Sequence, residues 1–331
     1  MRRKFSEYDS NKVKMLNKSS YFNGRRLKKL GISIGTRCNF LCSHCMFSGK
    51  SWAVDLQPEE IKVLQAEIQK YAPRELLFTG GEPTLYIDTI NKLISAHPSP
   101  HATKISVTTN GHFADTLSSA KKVLKSFSFI NRLQLSYDKF HGKFLPMRKV
   151  GLLYEACRGM GLRFGVLMAI QSPLDIVSLK ELRQIGEFDI ILQKILPQGK
   201  AKNNRVDYKY PEFDKSVLGK RCPNLGRIIY APGKGFSVCC CSLVLSQLKT
   251  KVAHVTIEKH FGSEFYKAIS SFTFGEMVGP LDLSNVNFDP KLSSECSMCE
   301  YVFRKYPADV INSNLSQNKA LIRAKYEKKK S

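Results

Sequence analysis

Gly31-Ile32-Ser33-Ile34-Gly35-Thr36 runs into Cys38-Asn39-Phe40-Leu41-Cys42-Ser43-His44-Cys45. A short β-branched run reads as a strand, and three cysteines follow it within eight residues. Three thiolates on one loop can hold three irons of a cubane cluster and leave the fourth iron open for chemistry. The alternatives are a partial zinc site or buried thiols.

The strand and its loop start a rhythm. Strands are predicted over Leu30–Thr36, Arg74–Thr79, Lys104–Thr109, Arg132–Tyr137, Leu162–Ile170 and Ile190–Leu196. Helices are predicted between them, from Gln57 onwards, at Ile87–Ala96, near Asp115–Leu124, at Leu145–Gly159 and at Leu179–Ile185. Gln57-Pro58-Glu59-Glu60 suits a helix start, with proline in the first turn and acids at the positive end of the dipole. The apolar stripe Val150, Leu153, Tyr154, Cys157 assigns Cys157 to the core. Six strand–helix units imply a parallel α/β sheet, and the informative polar residues fall just after strand ends, where such barrels place active sites.

Composition narrows the classes. The chain has 331 residues, 43% of them apolar, with 52 Lys and Arg against 28 Asp and Glu, a net charge of +24. No apolar run is long enough to span a bilayer, and the start Met1-Arg2-Arg3-Lys4 lacks a secretory apolar segment. Ten cysteines in tight clusters do not resemble a disulfide scaffold; metal ligation in a reducing cytoplasm is expected. Residues 1–30 carry ten Lys and Arg against two acids, and residues 301–331 carry eight against two. Such arms are either solvated surface or a guide for an acidic or phosphorylated partner. No motif supports nucleic-acid binding.

The cysteine loop, followed by Gly80-Gly81-Glu82-Pro83 after the second strand, resembles the radical S-adenosylmethionine (radical SAM) superfamily, over roughly residues 30–202. The resemblance implies a partial (β/α)6 TIM-like barrel. Cys38, Cys42 and Cys45 would bind a [4Fe–4S] cluster whose free iron chelates S-adenosylmethionine. Gly80, Gly81, Glu82 and Pro83 would contact that cofactor, with the glycines allowing close backbone approach. His44 stands where the family usually has an aromatic residue beside the adenine. Asn110, Ser136 and Asp138, at the ends of the third and fourth strands, would contact its ribose or methionyl part. The segment Pro197-Gln198-Gly199-Lys200-Ala201 looks like the one flanking the adenine. The implied reaction is reductive cleavage of the cofactor to a 5′-deoxyadenosyl radical, which removes hydrogen from a substrate. A flavodoxin- or ferredoxin-like electron donor is implied.

A second cysteine set refines the resemblance. Cys222, followed by Gly235 and Cys240, resembles the opening of a SPASM domain, and Cys296-Ser297-Met298-Cys299 adds a later pair. No cysteine follows Cys299, so the region resembles the shortened twitch version, with one auxiliary [4Fe–4S] cluster on Cys222, Cys240, Cys296 and Cys299. Cys239 and Cys241 are adjacent alternatives for the second ligand, and a zinc site on the same thiolates is the other reading. The expected organisation is a basic arm over 1–29, a partial barrel over 30–205, a twitch-like domain over 206–305 and a basic tail over 306–331. A helix is predicted over Asn318–Lys330. A closed auxiliary cluster carries electrons, which favours net oxidation of a peptide or of a small, acidic or phosphorylated metabolite. The competing readings are radical modification of a nucleotide or RNA, and a non-enzymatic basic metal-binding protein of nucleic acid.

Overall fold

The computed structural model of the chain describes residues 22–23, 26–46, 54–245, 248–278 and 288–315. Eight strands form its main sheet: β1 (Lys29–Ser33), β2 (Glu75–Thr79), β3 (Lys104–Thr109), β4 (Arg132–Ser136), β5 (Arg163–Ile170), β6 (Asp189–Lys194), β7 (Ile228–Ala231) and β8 (Gly235–Ser237). Their order is β8-β7-β1-β2-β3-β4-β5-β6. From β7 to β6 every pairing is parallel; β8 alone runs antiparallel, against β7. This is the expected parallel α/β sheet of a partial barrel, with six βα strands in sequence order.

The helices that cross between strands follow from local chemistry. Helix α1 (Pro58–Tyr71) starts at proline, with Glu60 accepting the Gln57 N–H at 2.9 Å, and ends where Ala72 turns left-handed at φ 40°. It buries Leu64, Ile68 and Tyr71. Helix α2 (Ile87–Ser95) buries Ile90, Leu93 and Ile94. Helix α3 (Leu117–Lys125) begins two residues later than the sequence suggested, because the Thr116 hydroxyl caps the Ser119 N–H at 3.0 Å. Helix α4 (Met147–Gly159) buries Cys157 completely, as its spacing predicts. Burial pushes that thiol up to about 12, so it stays protonated and inert. Helix α5 (Leu179–Ile185) has the expected bounds.

Beyond β6 the chain returns to the main sheet. Ile228–Ala231, inside the expected twitch-like stretch 206–305, pairs with β1, Leu30 opposite Ile228, and extends the main sheet. One continuous apolar core holds Ile32, Leu76 and Val107 together with Phe236, Phe265 and Met298. Helix α1 is tied to this region too: Glu60 accepts from the Tyr230 hydroxyl and the Gly233 N–H, both at 2.7 Å, and Glu67 from the Ile257 N–H at 3.0 Å. Among the described residues of this region, helices outnumber strands. Helix α6 (Gly199–Asn203) follows β6, and α7 (Ser242–Leu245), α8 (Ile257–Phe261), α9 (Glu264–Ser271), α10 (Phe274–Val278) and α11 (Glu295–Lys305) come after β8.

The boundary of the basic arm also moves. Arg26–Leu27 pairs with Phe22–Asn23, Leu27 is buried, and Lys29 already opens β1. The rest of the arm and the expected helix Asn318–Lys330 lie outside the described residues.

Candidate active site

The loop that carries Cys38, Cys42 and Cys45 leaves the end of β1 and is held largely by main-chain contacts. The Gly81 N–H donates to the Gly35 carbonyl and the Glu82 N–H to the Arg37 carbonyl, each at 2.8 Å. A Cβ on Gly81 would overlap the Arg37 carbonyl, and one on Gly80, at φ +137°, would overlap that of Gly35. The two glycines therefore admit the start of the cysteine loop itself, while also lining the cavity beside it. From the other side, the Lys200 N–H donates to the Cys45 carbonyl at 2.9 Å and the Asn204 amide to the Ser43 carbonyl at 2.8 Å. Gly199, at φ +51°, leaves no room for a Cβ against the Met46 carbonyl. The segment expected beside the adenine is thus a clamp on the loop.

Side chains brace the loop's root. The Arg37 guanidinium pairs with Asp55 at 2.7 Å and lies 4.8 Å from the Tyr86 ring centre. The Tyr86 hydroxyl donates to Asp55 at 2.5 Å and accepts the Arg37 N–H at 3.0 Å. Burial and the bond to Asp55 push the Tyr86 phenol up to about 12.

All three thiols line one cavity at the carboxyl ends of the strands, with His44, Gly80, Gly81, Asn110 and Ser136. The Cys38 sulfur receives the Phe40 N–H at 3.4 Å and the Asn110 amide at 3.6 Å. The Asn110 amide also donates to Asn39 at 2.8 Å. N–H groups aimed at sulfur stabilise a thiolate and suit a metal ligand. Three thiols of one loop facing a common cavity, with a glycine-walled space beside them, fit a cluster with one open iron.

Glu82, Pro83 and Asp138 are placed differently from the expectation. None of them lines the cavity, and all three are buried. Glu82 accepts from the Thr109 hydroxyl at 2.6 Å, the Thr84 hydroxyl and the Asn110 N–H at 2.8 Å, and the Thr84 N–H at 3.1 Å. It welds the end of β2 to the end of β3. Asp138 accepts from the Phe140, His141 and Ala169 N–H groups at 2.9, 3.1 and 3.2 Å and contacts the His141 ring at 2.9 Å. Burial opposes its charge, yet these donors hold its carboxyl below the usual range.

His44 tilts against Phe140 with ring centres 4.6 Å apart, and burial pushes its pKa down to about 4, so it is a neutral wall. His141 behaves in the opposite way. Burial disfavours its charge, but hydrogen bonds to Asp138 and Cys42 push its pKa up to about 9. The sequence reading passed over His141, although its place three residues after Asp138 suits a turn that folds back on the carboxylate. It also missed Arg37, Asp55 and Tyr86, which lie apart in sequence and carry no joint motif.

The second cysteine set also assembles. Cys239 and Cys241 have sulfurs 3.3 Å apart, and Cys241 further contacts Cys296. Cys241 also feels Cys222 and Cys299, which places it centrally. Hydrogen bonds from the Cys239 and Cys296 thiols hold the Cys241 thiol well below its ordinary pKa. Cys240 sits at the edge, where its sulfur accepts from the Asn224 amide at 3.1 Å and faces Arg227 at 3.9 Å. Cys296 and Cys299 project from α11, one turn apart. Six thiols from three distant segments, gathered without a disulfide, fit a metal centre.

Comparisons with known proteins agree with this geometry. Residues 32–159 match the family model described as Radical SAM superfamily, and this stretch includes the cysteine loop and the glycine turn. That stretch is a radical SAM domain, which makes the chain an enzyme with a [4Fe–4S] cluster and S-adenosylmethionine as cofactors. The chain is 24% identical over 259 residues to the "Putative peptide biosynthesis protein YydG" of Bacillus subtilis (strain 168), 73% of this chain and 76% of that protein. It is 34% identical over 128 residues to the GTP 3',8-cyclase of Paenarthrobacter nicotinovorans, 36% of this chain and 34% of the cyclase. The solved structure of native anSMEcpe with bound AdoMet and Kp18Cys peptide superimposes with a TM-score of 0.50 at 15% identity, covering 86% of this chain and 99% of that one. That likeness shows the fold alone. Among the described residues no helix is long and apolar enough to cross a membrane.

Proposed function

We propose that the protein abstracts hydrogen from a peptide substrate and oxidises it, with electron exit through an auxiliary cluster held by the second cysteine set. The observation that carries this reading is the gathering of six thiols from three distant segments against the same core that the cysteine loop's Phe40 packs on. The 24% identity to a protein described as one of peptide biosynthesis, over three quarters of both chains, supports a peptide over a small metabolite. When bound, the cluster and cofactor supply a 5′-deoxyadenosyl radical. Cys38, Cys42 and Cys45 are the ligands of the first cluster in this reading. Gly80, Gly81, Asn110, Ser136 and His44 bound the space for the cofactor. Glu82 and Asp138 hold the strand ends and turns that position those residues. Cys222, Cys296 and Cys299 are three ligands of the auxiliary cluster. The fourth is Cys241, favoured by its central place, or the Cys240 that the spacing suggested.

A second reading, action on a nucleotide, is favoured by the cyclase likeness, which covers about a third of each chain.

Anaerobic reconstitution tests the proposal. About eight irons per chain, two overlapping electron-spin signals, and 5′-deoxyadenosine on reduction are expected. About four irons, with zinc on the second set, would overturn the auxiliary-cluster assignment. Cys241→Ala and Cys240→Ala, compared for loss of the second signal, identify the fourth ligand. Incubation with candidate precursor peptides should give a product lighter by two hydrogens; unchanged peptides alongside a modified nucleotide would favour the second reading.

A further inference from the structure

The two cysteine sets meet at one short strap, which runs from the end of β6 through Leu196-Pro197-Gln198 into α6. On one side the strap closes the first loop. The Lys200 N–H holds the Cys45 carbonyl, the Asn204 amide holds the Ser43 carbonyl, and Gly199 lies flush against the Met46 carbonyl. On the other side Gln198, only 4% exposed, donates its side-chain amide to the Cys241 sulfur. Gln198 and Lys200 are two residues apart, so neighbouring donors of one turn reach one set each. The chain beyond the strap follows the same path. The Tyr208 N–H donates to the Ile195 carbonyl at 2.8 Å, the Tyr208 and Tyr210 rings meet at 4.8 Å, and Tyr210 lies within the field of Cys296. Apolar packing holds the strap lightly. Ile195 and Ala201 are buried with Phe140 in a small cluster apart from the main core, which Leu196 touches half-buried. An element with few buried apolar contacts depends on its polar ties for its position.

We propose that Gln198 is a positioning residue that couples the two sets: with Cys241 held as a metal ligand, Gln198 fixes the strap, and the strap closes the loop of Cys38, Cys42 and Cys45. The inference rests on the reading above that the second set is a metal centre with Cys241 in it. The coupling follows from what Gln198 donates to. Without metal, the Cys241 sulfur also accepts from the Cys239 and Cys296 thiols, and no ligand bond fixes its place. Ligation takes the protons from the thiols that bind and sets ligand distances to within about 0.2 Å. Gln198 then donates to a fixed, anionic sulfur, and such charge-assisted bonds are about twice as strong as neutral ones. The gain passes to Lys200 and Asn204 through the turn of α6. There the Asn204 N–H donates to the Lys200 carbonyl at 2.8 Å and the Lys202 N–H to the Gln198 carbonyl at 3.4 Å. Linkage makes the effect reciprocal, so a closed first loop also steadies the metal at the second set. The result is an order of assembly. The first loop closes firmly only in a chain whose second centre is in place, which keeps cofactor cleavage to complete molecules.

The test uses the full chain carrying Cys38→Ala, Cys42→Ala and Cys45→Ala, reconstituted anaerobically so that metal sits on the second set alone. Deuterium uptake of residues 38–46 is measured with that metal bound and after chelation. Stripping the metal should speed exchange of the loop amides about tenfold, an ordinary size for linked sites. Adding Gln198→Leu removes the donor at similar volume, and the loop should then exchange at the fast rate with or without metal. Gln198→Leu should also lower the reduction potential of the second cluster, because a hydrogen bond to a ligand sulfur is lost. Asn204→Ala, which loosens the loop from the same strap, should leave that potential unchanged. A loop whose exchange ignores the second metal, or that keeps its full metal response in Gln198→Leu, would overturn the proposal. Should Gln198→Leu fail to fold, Gln198→Asn, whose amide stops one methylene short of Cys241, should show a reduced metal response, and an undiminished one refutes the link. Zinc on the second set, with the loop still responding through Gln198, would refute the auxiliary cluster and leave the link standing. A second cluster with no response at the loop would do the reverse, and a second set that binds no metal would refute both.

Discussion

The carboxylate of Glu82 accepts four hydrogen bonds from the ends of β2 and β3 and faces no solvent. Glu82→Ala would strand the Thr109 hydroxyl and the Asn110 N–H in the interior, so a loss of about 2–4 kcal/mol in urea unfolding of the metal-free protein is expected. A loss below about 1 kcal/mol would return Glu82 to the role of cofactor contact. Gly81→Ala acts on the loop instead. Its methyl group meets the Arg37 carbonyl, so the chain should retain the C-terminal metal while losing the first cluster, with iron dropping from about eight to about four per chain. His260 titrates in the opposite sense to His141. Its ring is fully buried, accepts the Val238 N–H at 3.0 Å, and burial pushes its pKa down to about 3. The unfolded chain binds this proton near pH 6.5 and the folded one does not, so stability falls as pH drops from 6.5 towards 3, by about 1.4 kcal/mol per pH unit. His260→Gln keeps an acceptor and should flatten that slope; identical slopes would show that other groups carry it. Residue types at the site were readable where chemistry demands them in sequence order, as in the cysteine loop and the glycine turn. They were not readable where the partners lie apart, as in Arg37–Asp55–Tyr86 or Asn224–Cys240.

At the scale of elements, the six βα units were legible because each carries its own apolar period and its own start signal, Pro58 for α1 being one. The region after β6 was not. Ile228–Ala231 is a four-residue apolar run, and nothing local says whether it pairs with Gly235–Ser237 alone or also with β1. The helices α8 to α10 are short and broken by Gly262 and Thr273, so periodicity has little length in which to show. The pairing of β7 with β1 has a direct consequence for truncation. A chain ending at residue 205 would expose the edge of β1 and take from Glu60 and Glu67 the bonds of Tyr230, Gly233 and Ile257. It should aggregate or unfold without cooperativity, as read by circular dichroism on heating. A soluble, cooperative fragment that loads four irons would show that the barrel stands alone after all.

For the whole molecule, composition told more about partners than about shape. A net charge of +24 is spread over both ends and the strand starts, whereas nine of the ten cysteines sit in two compact sets. Parallel pairing between Leu30 and Ile228 also orders events during synthesis. The first strand to leave the ribosome is the one whose neighbour arrives after most of the chain is made. Until residues 200–204 are made, the Cys38–Cys45 loop has its glycine clasp but not the Lys200 and Asn204 bonds that close it. Those three thiols are therefore the longest exposed to oxidants of all the cysteines in the nascent chain. A cell that slows translation, or that meets oxygen during it, should lose enzyme through this loop before any finished molecule is damaged.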